Sequence, residues 1–159
     1  MKNFALIGCG YWGTIIINTL NKINKFEYIH ICDEDSLKTK IIKERFGNFV
    51  KIIQIKELIK NKNIKYVYLA TPPSKNLRLL KQIIPANKNI LLEKPGFTKL
   101  SEFRIVKKLL LKTKTRLRFG YIYLYNDYIR YLKKIILKKK NRKNKIYKFS
   151  EAKFWANKE

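Results

Sequence analysis

The fold is decided by the stretch Gly8-Cys9-Gly10-Tyr11-Trp12-Gly13, whose glycines have the spacing G-x-G-x-x-G. The stretch follows Phe4–Ile7, a short apolar run typical of a buried strand, and precedes a segment with apolar residues at helical spacing. In this context the first glycine permits a tight turn, the second lets a pyrophosphate approach the backbone, and the third lets helix and strand pack closely. A helix N-terminus favours negative charge. We therefore expect all residues from Gly8 to Gly13 to line a dinucleotide site, rather than form a glycine-rich turn without a ligand.

An acidic residue follows the glycine stretch at the spacing that dinucleotide sites require. Asp33 comes about twenty residues after Gly13 and directly after a predicted strand, where a carboxylate can bind the hydroxyls of the adenosine ribose. A negative charge there repels the 2′-phosphate of NADP, and Glu34 and Asp35 add to that charge. The sequence therefore predicts NAD in preference to NADP. The same acids could also cap the next helix, and the two roles are compatible.

Short apolar strands alternate with helical segments over most of the chain, which predicts a parallel sheet covered by helices on both faces. This is a doubly wound α/β fold of the Rossmann type, and its ligand lies at the carboxyl ends of the strands. In the second helix, Leu37, Ile41 and Ile42 are expected to face inward. The predicted strands are Phe4–Ile7, Glu27–Cys32, Val50–Ile53, Lys65–Ala70, Asn89–Glu93 and Arg116–Tyr123, and the predicted helices are Thr14–Asn24, Ser36–Phe46, Lys56–Lys60, Ser74–Ile84 and Leu100–Leu111.

Two further groups of candidate site residues end predicted strands. Ala70, Thr71 and Pro72 end or follow the fourth strand, and Glu93 and Lys94 end or follow the fifth. Most lysines of this chain are expected to be solvated surface. Lys94 differs because it stands beside the predicted nicotinamide position and next to a proline, where an ammonium group can hydrogen-bond a substrate hydroxyl and assist its loss of a proton.

The pattern changes near residue 123. The chain has 159 residues, enough for one domain with a full core and too few for two. Residues 1–123 are the predicted dinucleotide-binding domain. Residues 124–159 contain a predicted helix, Asn126–Lys138, a basic linker and a predicted strand, Lys145–Trp155. A single aromatic strand needs a sheet to join, so we expect the start of a second α+β domain that is truncated in this chain.

The formal net charge of +26 has two explanations. One is a phosphate-bearing partner such as nucleic acid. The other is a coding bias toward Lys, Asn and Ile. A nucleic-acid surface concentrates its charge with aromatic residues on one element, whereas lysines are spread over nearly every segment here. We therefore favour coding bias and do not expect specific nucleic-acid binding.

Metal and membrane binding are not expected. Two cysteines, Cys9 and Cys32, and the single His30 are too few for a structural zinc site, which takes four ligands. They also make no disulfide framework, which favours a reducing compartment. No segment has the length of a transmembrane span. These features together predict a cytoplasmic protein.

The chain resembles the N-terminal half of the glucose–fructose oxidoreductase/inositol dehydrogenase (Gfo/Idh/MocA) family. The similarity covers nearly the whole chain, in order and at the family's spacing, and its most specific element is Glu-Lys-Pro at residues 93–95. The matching pieces are Gly8–Gly13, Asp33, Ala70-Thr71-Pro72-Pro73, the run Asn89–Pro95, and Phe119-Gly120 leading to Tyr125-Asn126.

The resemblance implies roles for several residues. Lys94 is then the lysine of the catalytic site, Glu93 lies by the nicotinamide ribose, and Thr71 and Pro72 border the cofactor. The peptide bond between Lys94 and Pro95 is often cis in the family. The family usually has His where Asn76 stands and Pro at residue 127.

The resemblance also implies an activity, the NAD(P)-dependent oxidation of a sugar hydroxyl. Residues 119–158 look most like members that oxidise nucleotide-linked sugars for surface polysaccharides. Family members are about twice as long, in keeping with a second domain of ordinary size, and that domain supplies the substrate pocket and a catalytic His or Asp. We therefore expect this chain to be inactive alone. The sequence leaves open whether the chain forms a homo-oligomer. The alternatives are a non-catalytic nucleotide-binding remnant of a decayed gene and, less favoured, a basic nucleic-acid-binding protein.

Overall fold

A single parallel sheet organises the computed structural model of the chain, which describes residues 4–140. The strands are β1 (Phe4–Ile7), β2 (Ile29–Cys32), β3 (Val50–Ile52), β4 (Tyr66–Leu69), β5 (Asn89–Leu92) and β6 (Leu117–Phe119). The strand order in the sheet is β3-β2-β1-β4-β5-β6, so the order reverses between β1 and β4. The predicted doubly wound Rossmann-type fold is thereby confirmed.

Helices cover both faces of the sheet because successive strand residues point to opposite sides and both sides are apolar. Ala5 and Ile7 of β1 join one buried cluster, and Leu6 joins the other. The helices are α1 (Tyr11–Lys22), α2 (Ser36–Phe46), α3 (Ile55–Lys60), α4 (Pro73–Ile83), α5 (Leu100–Leu110) and α6 (Asp127–Lys140), with short 3₁₀ turns at Gly47–Phe49, Ile84–Ala86 and Ile122–Tyr125. The first cluster includes residues of α3, α4 and α5, and the second includes residues of α1 and α2.

The inward face of α2 differs from the expectation. Ile42 is buried as predicted, but Leu37 and Ile41 are mostly exposed. The helical period places Thr39, Ile42 and Phe46 on one face, opposite Leu37. Thr39 tolerates burial because its hydroxyl donates to the Ser36 carbonyl at 2.9 Å. This face therefore packs on the sheet although it carries a polar residue, and Leu37 and Ile41 lie outward.

Two element boundaries differ from the predicted ones by three residues or more. Helix α1 begins at Tyr11, three residues before the expected start, so its first turn lies inside the glycine stretch. Strand β6 ends at Phe119 instead of Tyr123. Its partner β5 ends at Leu92, and the amide of Gly120 donates the last bond to the Leu92 carbonyl at 2.8 Å. Beyond that bond β5 offers no backbone for β6 to pair with.

The chain divides into two units, Met1–Gly120 and Tyr121–Glu159. Within its described part, the second unit consists of the 3₁₀ turn Ile122–Tyr125 and α6. The predicted strand Lys145–Trp155 lies outside the described residues. Over residues 4–140, no helix is long and apolar enough to cross a membrane.

Candidate functional site

The loop between β1 and α1 needs glycine at two positions for its shape. Gly8 has a φ of +101°, and a Cβ there would lie 2.6 Å from the carbonyl oxygen of Ala70. A Cβ on Gly13 would overlap the carbonyl oxygen of Gly8. Gly10 is different, because a Cβ there would meet no atom within 4 Å. The backbone at Gly10 therefore faces open space in which a ligand can approach it.

The N-terminus of α1 offers donors to an anion. Gly10 is the N-cap residue, it makes no side-chain cap, and the first turn carries no acidic residue. The first N–H groups of a helix have no partner within the helix, and the helix dipole adds partial positive charge there. The open space at Gly10 and these donors suit a pyrophosphate, so the residues present fit a dinucleotide.

Asp33 lies against this loop. The amide of Cys9 donates to Asp33 Oδ2 at 2.7 Å, and the amide of Asp35 donates to Oδ1 at 2.9 Å. Each carboxylate oxygen can accept a second hydrogen bond, and Asp33 is only partly buried. The carboxylate is thus held at the rim of the glycine loop with capacity left for ribose hydroxyls.

Cys9 can face a ligand only through its backbone. Its side chain is buried, and burial together with the charge of Asp33 raises the pKa of the Cys9 thiol to about 12. Burial likewise raises the pKa of Cys32 to about 11. Both thiols stay protonated near neutral pH, which leaves them unsuited to nucleophilic or metal chemistry. Among the described residues, no group of His, Cys, Asp and Glu could hold a metal ion.

Asn76 joins the two loops that follow β4 and β5. The Thr71 hydroxyl donates to Asn76 Oδ1 at 2.7 Å, and Asn76 Nδ2 donates to the Gly96 carbonyl at 2.8 Å. Asn76 is buried, while Pro72 on the loop after β4 is exposed. The Asn76 side chain, which stands where the resemblance predicts His, therefore fixes the spacing between the two loops.

Glu93 is engaged inside the fold. Its side chain is buried, Oε1 accepts a hydrogen bond from the Tyr68 hydroxyl, and Oε2 accepts one from the Lys94 amide at 3.3 Å. Burial and the hydrogen bond to Glu93 raise the pKa of Tyr68, so its phenol stays protonated and donates. A Cβ on Gly120 would lie 2.7 Å from Glu93 Oε1. The carboxylate is therefore confined from two sides.

The indole of Trp12 lies near this pair. Its N–H is buried and has no well-formed hydrogen bond within the described part of the chain. It lies close enough to the Tyr68 hydroxyl to lower the pKa of that group, against the larger raising effect of burial. Trp12 therefore belongs to the inner side of the loop, whereas its neighbour Tyr11 is almost fully exposed.

Lys94 stands at the exposed end of the site. Its side chain is exposed, and the Lys94–Pro95 peptide bond is cis, as the resemblance implies.

Backbone hydrogen bonds connect the loops at the carboxyl edge of the sheet, with the Ala70 amide donating to the Ile7 carbonyl at 2.8 Å. The predicted site residues thus all lie at the ends of β1, β2, β4 and β5.

The sequence assigns no structural role to Tyr68, Asn76 or Gly120, although all three hold site residues in place. Tyr68 was part of a strand, and no local pattern shows that its hydroxyl meets a carboxylate 25 residues later. Asn76 and Gly120 enter only through the resemblance. The contact of Gly120 with Glu93 arises from the pairing of β5 and β6 and cannot be read from the chain alone.

Comparison with known proteins agrees with this geometry. Residues 2–121 match the family model GFO_IDH_MocA, described as an oxidoreductase family with an NAD-binding Rossmann fold. Over 98 residues the chain is 29% identical to an uncharacterized oxidoreductase from Synechocystis sp., and this stretch is 62% of the chain and 26% of that protein.

Solved structures share the fold. The WlbA dehydrogenase from Chromobacterium violaceum, in complex with NADH and UDP-GlcNAcA, superposes with a TM-score of 0.76 and 23% identity, over 88% of this chain and 40% of that one. The scyllo-inositol dehydrogenase from Lactobacillus casei, with NAD(H) and scyllo-inositol, gives a TM-score of 0.70 and 17% identity, over 88% and 42%. The chain therefore spans well under half the length of these relatives.

Proposed function

The chain belongs to the Gfo/Idh/MocA oxidoreductase family, and from this membership we propose that its Rossmann domain binds NAD in preference to NADP as the cofactor half of a dehydrogenase. The observation that carries the proposal is the 2.7 Å hydrogen bond from the Cys9 amide to Asp33. It joins a carboxylate suited to ribose hydroxyls to a loop suited to a pyrophosphate. A 2′-phosphate beside that carboxylate would meet a like charge at close range.

The remaining site residues have roles that follow from their positions. The backbone from Gly8 to Gly13 holds the pyrophosphate, and Ala70, Thr71 and Pro72 border the cofactor beyond it. Glu93 fixes the start of the Lys94–Pro95 turn through the Lys94 amide. Bound NAD supplies a hydride acceptor. Lys94, exposed at the end of β5, hydrogen-bonds the substrate hydroxyl and assists its loss of a proton.

The proposed substrate is a sugar or a nucleotide-linked sugar. The support is the family and two structures of the same fold, whose names give UDP-GlcNAcA in one case and scyllo-inositol in the other. Both ligands are polyhydroxylated rings. A lysine that hydrogen-bonds one hydroxyl among several fits this substrate class.

We further propose that the 159-residue chain binds the nucleotide but does not turn over a substrate alone. Hydride transfer requires the substrate carbon to be held close to the nicotinamide. Lys94 provides one polar contact, and its side chain is exposed to solvent. NADH production with sugars and nucleotide sugars tests this, and turnover that disappears in Lys94→Ala would contradict it.

Nucleotide titration of the purified chain tests the cofactor assignment. NADH and NADPH are titrated by nicotinamide fluorescence, with thermal stability measured in parallel because a ligand of the folded state raises it. We expect tighter binding of NADH, and a smaller difference between the nucleotides in Asp33→Asn. Glu44→Gln, at an exposed carboxylate of α2, is the charge-matched control and should leave the difference unchanged. Equal binding of both nucleotides by the unaltered chain, or no binding, would refute the assignment.

A further inference from the structure

An ion-pair bridge joins the loop after β2 to α4. The Lys75 ammonium lies 2.5 Å from Glu34 Oε2, and the Arg78 guanidinium pairs with Glu34 Oε1. Each of the three side chains is about half exposed. The charges are therefore within reach of solvent and of a ligand, and their pairing is not enforced by burial.

The bridge lies across the ends of three neighbouring strands. Strands β2 and β4 flank β1 in the sheet, Glu34 follows β2, and Lys75 and Arg78 stand on the helix after β4. A link between them therefore passes over the end of β1, where the glycine loop begins. Glu34 is also the direct neighbour of Asp33, whose carboxylate is held by that loop. The bridge thus borders the place where the adenosine ribose would sit.

We propose that Glu34 makes the site selective for NAD by occupying Lys75 and Arg78, a role that rests on the proposed function. A guanidinium and an ammonium are the side chains best suited to bind a phosphate. While both are paired with Glu34, the 2′-phosphate of NADP must displace a carboxylate to reach them. Glu34 thereby acts indirectly, by neutralising two cations, and Asp33 acts directly on the ribose.

The charge balance gives the direction of the effect. With Asp33, Glu34, Lys75 and Arg78 all ionised, the four side chains sum to zero charge. Removal of the Glu34 charge leaves the group with a net positive charge and two unpaired cationic groups beside one acid. Because these side chains are exposed and screened by solvent, we expect NADPH affinity to rise relative to NADH by about tenfold, which corresponds to about 1.4 kcal/mol.

The test measures the ratio of NADH and NADPH dissociation constants at low ionic strength, by fluorescence titration of the full chain. The variants are Glu34→Gln, the triple variant Glu34→Gln/Lys75→Gln/Arg78→Gln, and the charge-matched control Glu44→Gln. We expect Glu34→Gln to shift the ratio toward NADPH, the triple variant to restore the original ratio, and the control to leave it unchanged. Melting temperatures of all variants report whether each one folds.

The outcomes separate this inference from the cofactor assignment. If the unaltered chain binds NADH and Glu34→Gln leaves the ratio unchanged, the inference is wrong and the assignment stands. If Glu44→Gln reproduces the shift, the effect comes from overall charge and the inference is again wrong. If the triple variant keeps the shift, the effect does not depend on Lys75 and Arg78, which also contradicts the inference. If the unaltered chain binds neither nucleotide, the proposed function fails and the inference fails with it.

Discussion

Gly10→Ala separates the ligand role of the glycine stretch from its folding role. A Cβ on Gly10 meets nothing within 4 Å, and the residue has a φ of −75°, which alanine adopts without strain. Alanine lowers the entropy of the unfolded chain, which stabilises by about 0.4–1 kcal/mol. At an N-cap, however, alanine is less favourable than glycine by up to about 1 kcal/mol. The two effects nearly cancel, so we expect the free energy of unfolding to change by less than about 1 kcal/mol.

Nucleotide binding should respond far more strongly to Gly10→Ala. The methyl group would occupy the space through which, in the proposed site, the pyrophosphate reaches the first N–H groups of α1. Loss of one charge-assisted hydrogen bond costs about 1.5–3 kcal/mol, which weakens NADH binding by about tenfold to a hundredfold. Chemical denaturation measures the stability, and fluorescence titration measures the affinity.

Gly13→Ala is the matched comparison for this experiment. Its Cβ would overlap the Gly8 carbonyl oxygen, so helix α1 must shift, and overpacking of this kind costs about 1–3 kcal/mol. The two alanines should therefore act on different quantities, Gly10→Ala on affinity and Gly13→Ala on stability. Unchanged NADH affinity in a stably folded Gly10→Ala protein would refute the placement of the pyrophosphate at this loop.

Three further results are expected. Tyr68→Phe leaves the buried Glu93 carboxylate without its phenol donor, so a urea titration should show a free energy of unfolding lower by about 1–3 kcal/mol. Tyr66→Phe, on the exposed end of the same strand, should have almost no effect in that titration. Equal effects of the two variants would contradict the role of the Tyr68 phenol. Cys9 and Cys32, whose thiol pKa values burial raises to about 12 and about 11, should resist a thiol reagent at mildly alkaline pH until the chain is unfolded, and rapid modification of the folded protein would show that they are accessible. Any binding of DNA or RNA should be independent of sequence and fall steeply with added salt, and a complex that survives high salt would favour a nucleic-acid function instead.

The sequence predicted the sheet because each strand is a short apolar run bounded by a turn, and such runs alternate with helical patterns. Boundaries were less predictable. The start of α1 is set by the turn at Gly8, and the end of β6 is set by the length of its partner β5, so neither is a local property. The inward face of α2 was predicted wrongly in part, because Leu37 and Ile41 are as apolar as Ile42 and Phe46, the residues that pack on the sheet.

The candidate site shows the same contrast between features that are local in the sequence and features that are not. Its motif residues could be proposed from the sequence because each motif lies on one loop and keeps a fixed spacing. The contacts that hold those loops together join distant parts of the chain. They are the bond between the Cys9 amide and Asp33, the Asn76 bridge, and the pairing of Tyr68 with Glu93. No local pattern could show them.

Those contacts explain how an open sheet edge can keep a defined arrangement of site residues. Asp33 is fixed to the glycine loop, and Asn76 fixes the loop after β4 to the turn after β5. The bonds of Glu93 to Tyr68 and to the Lys94 amide anchor the other side of that turn. Each link leaves unobstructed the Lys94 side chain and the backbone at Gly10, where we propose that the ligand binds. Positioning is thus separated from ligand contact, which is why variants of Tyr68 should mainly lower stability while Gly10→Ala should mainly lower affinity.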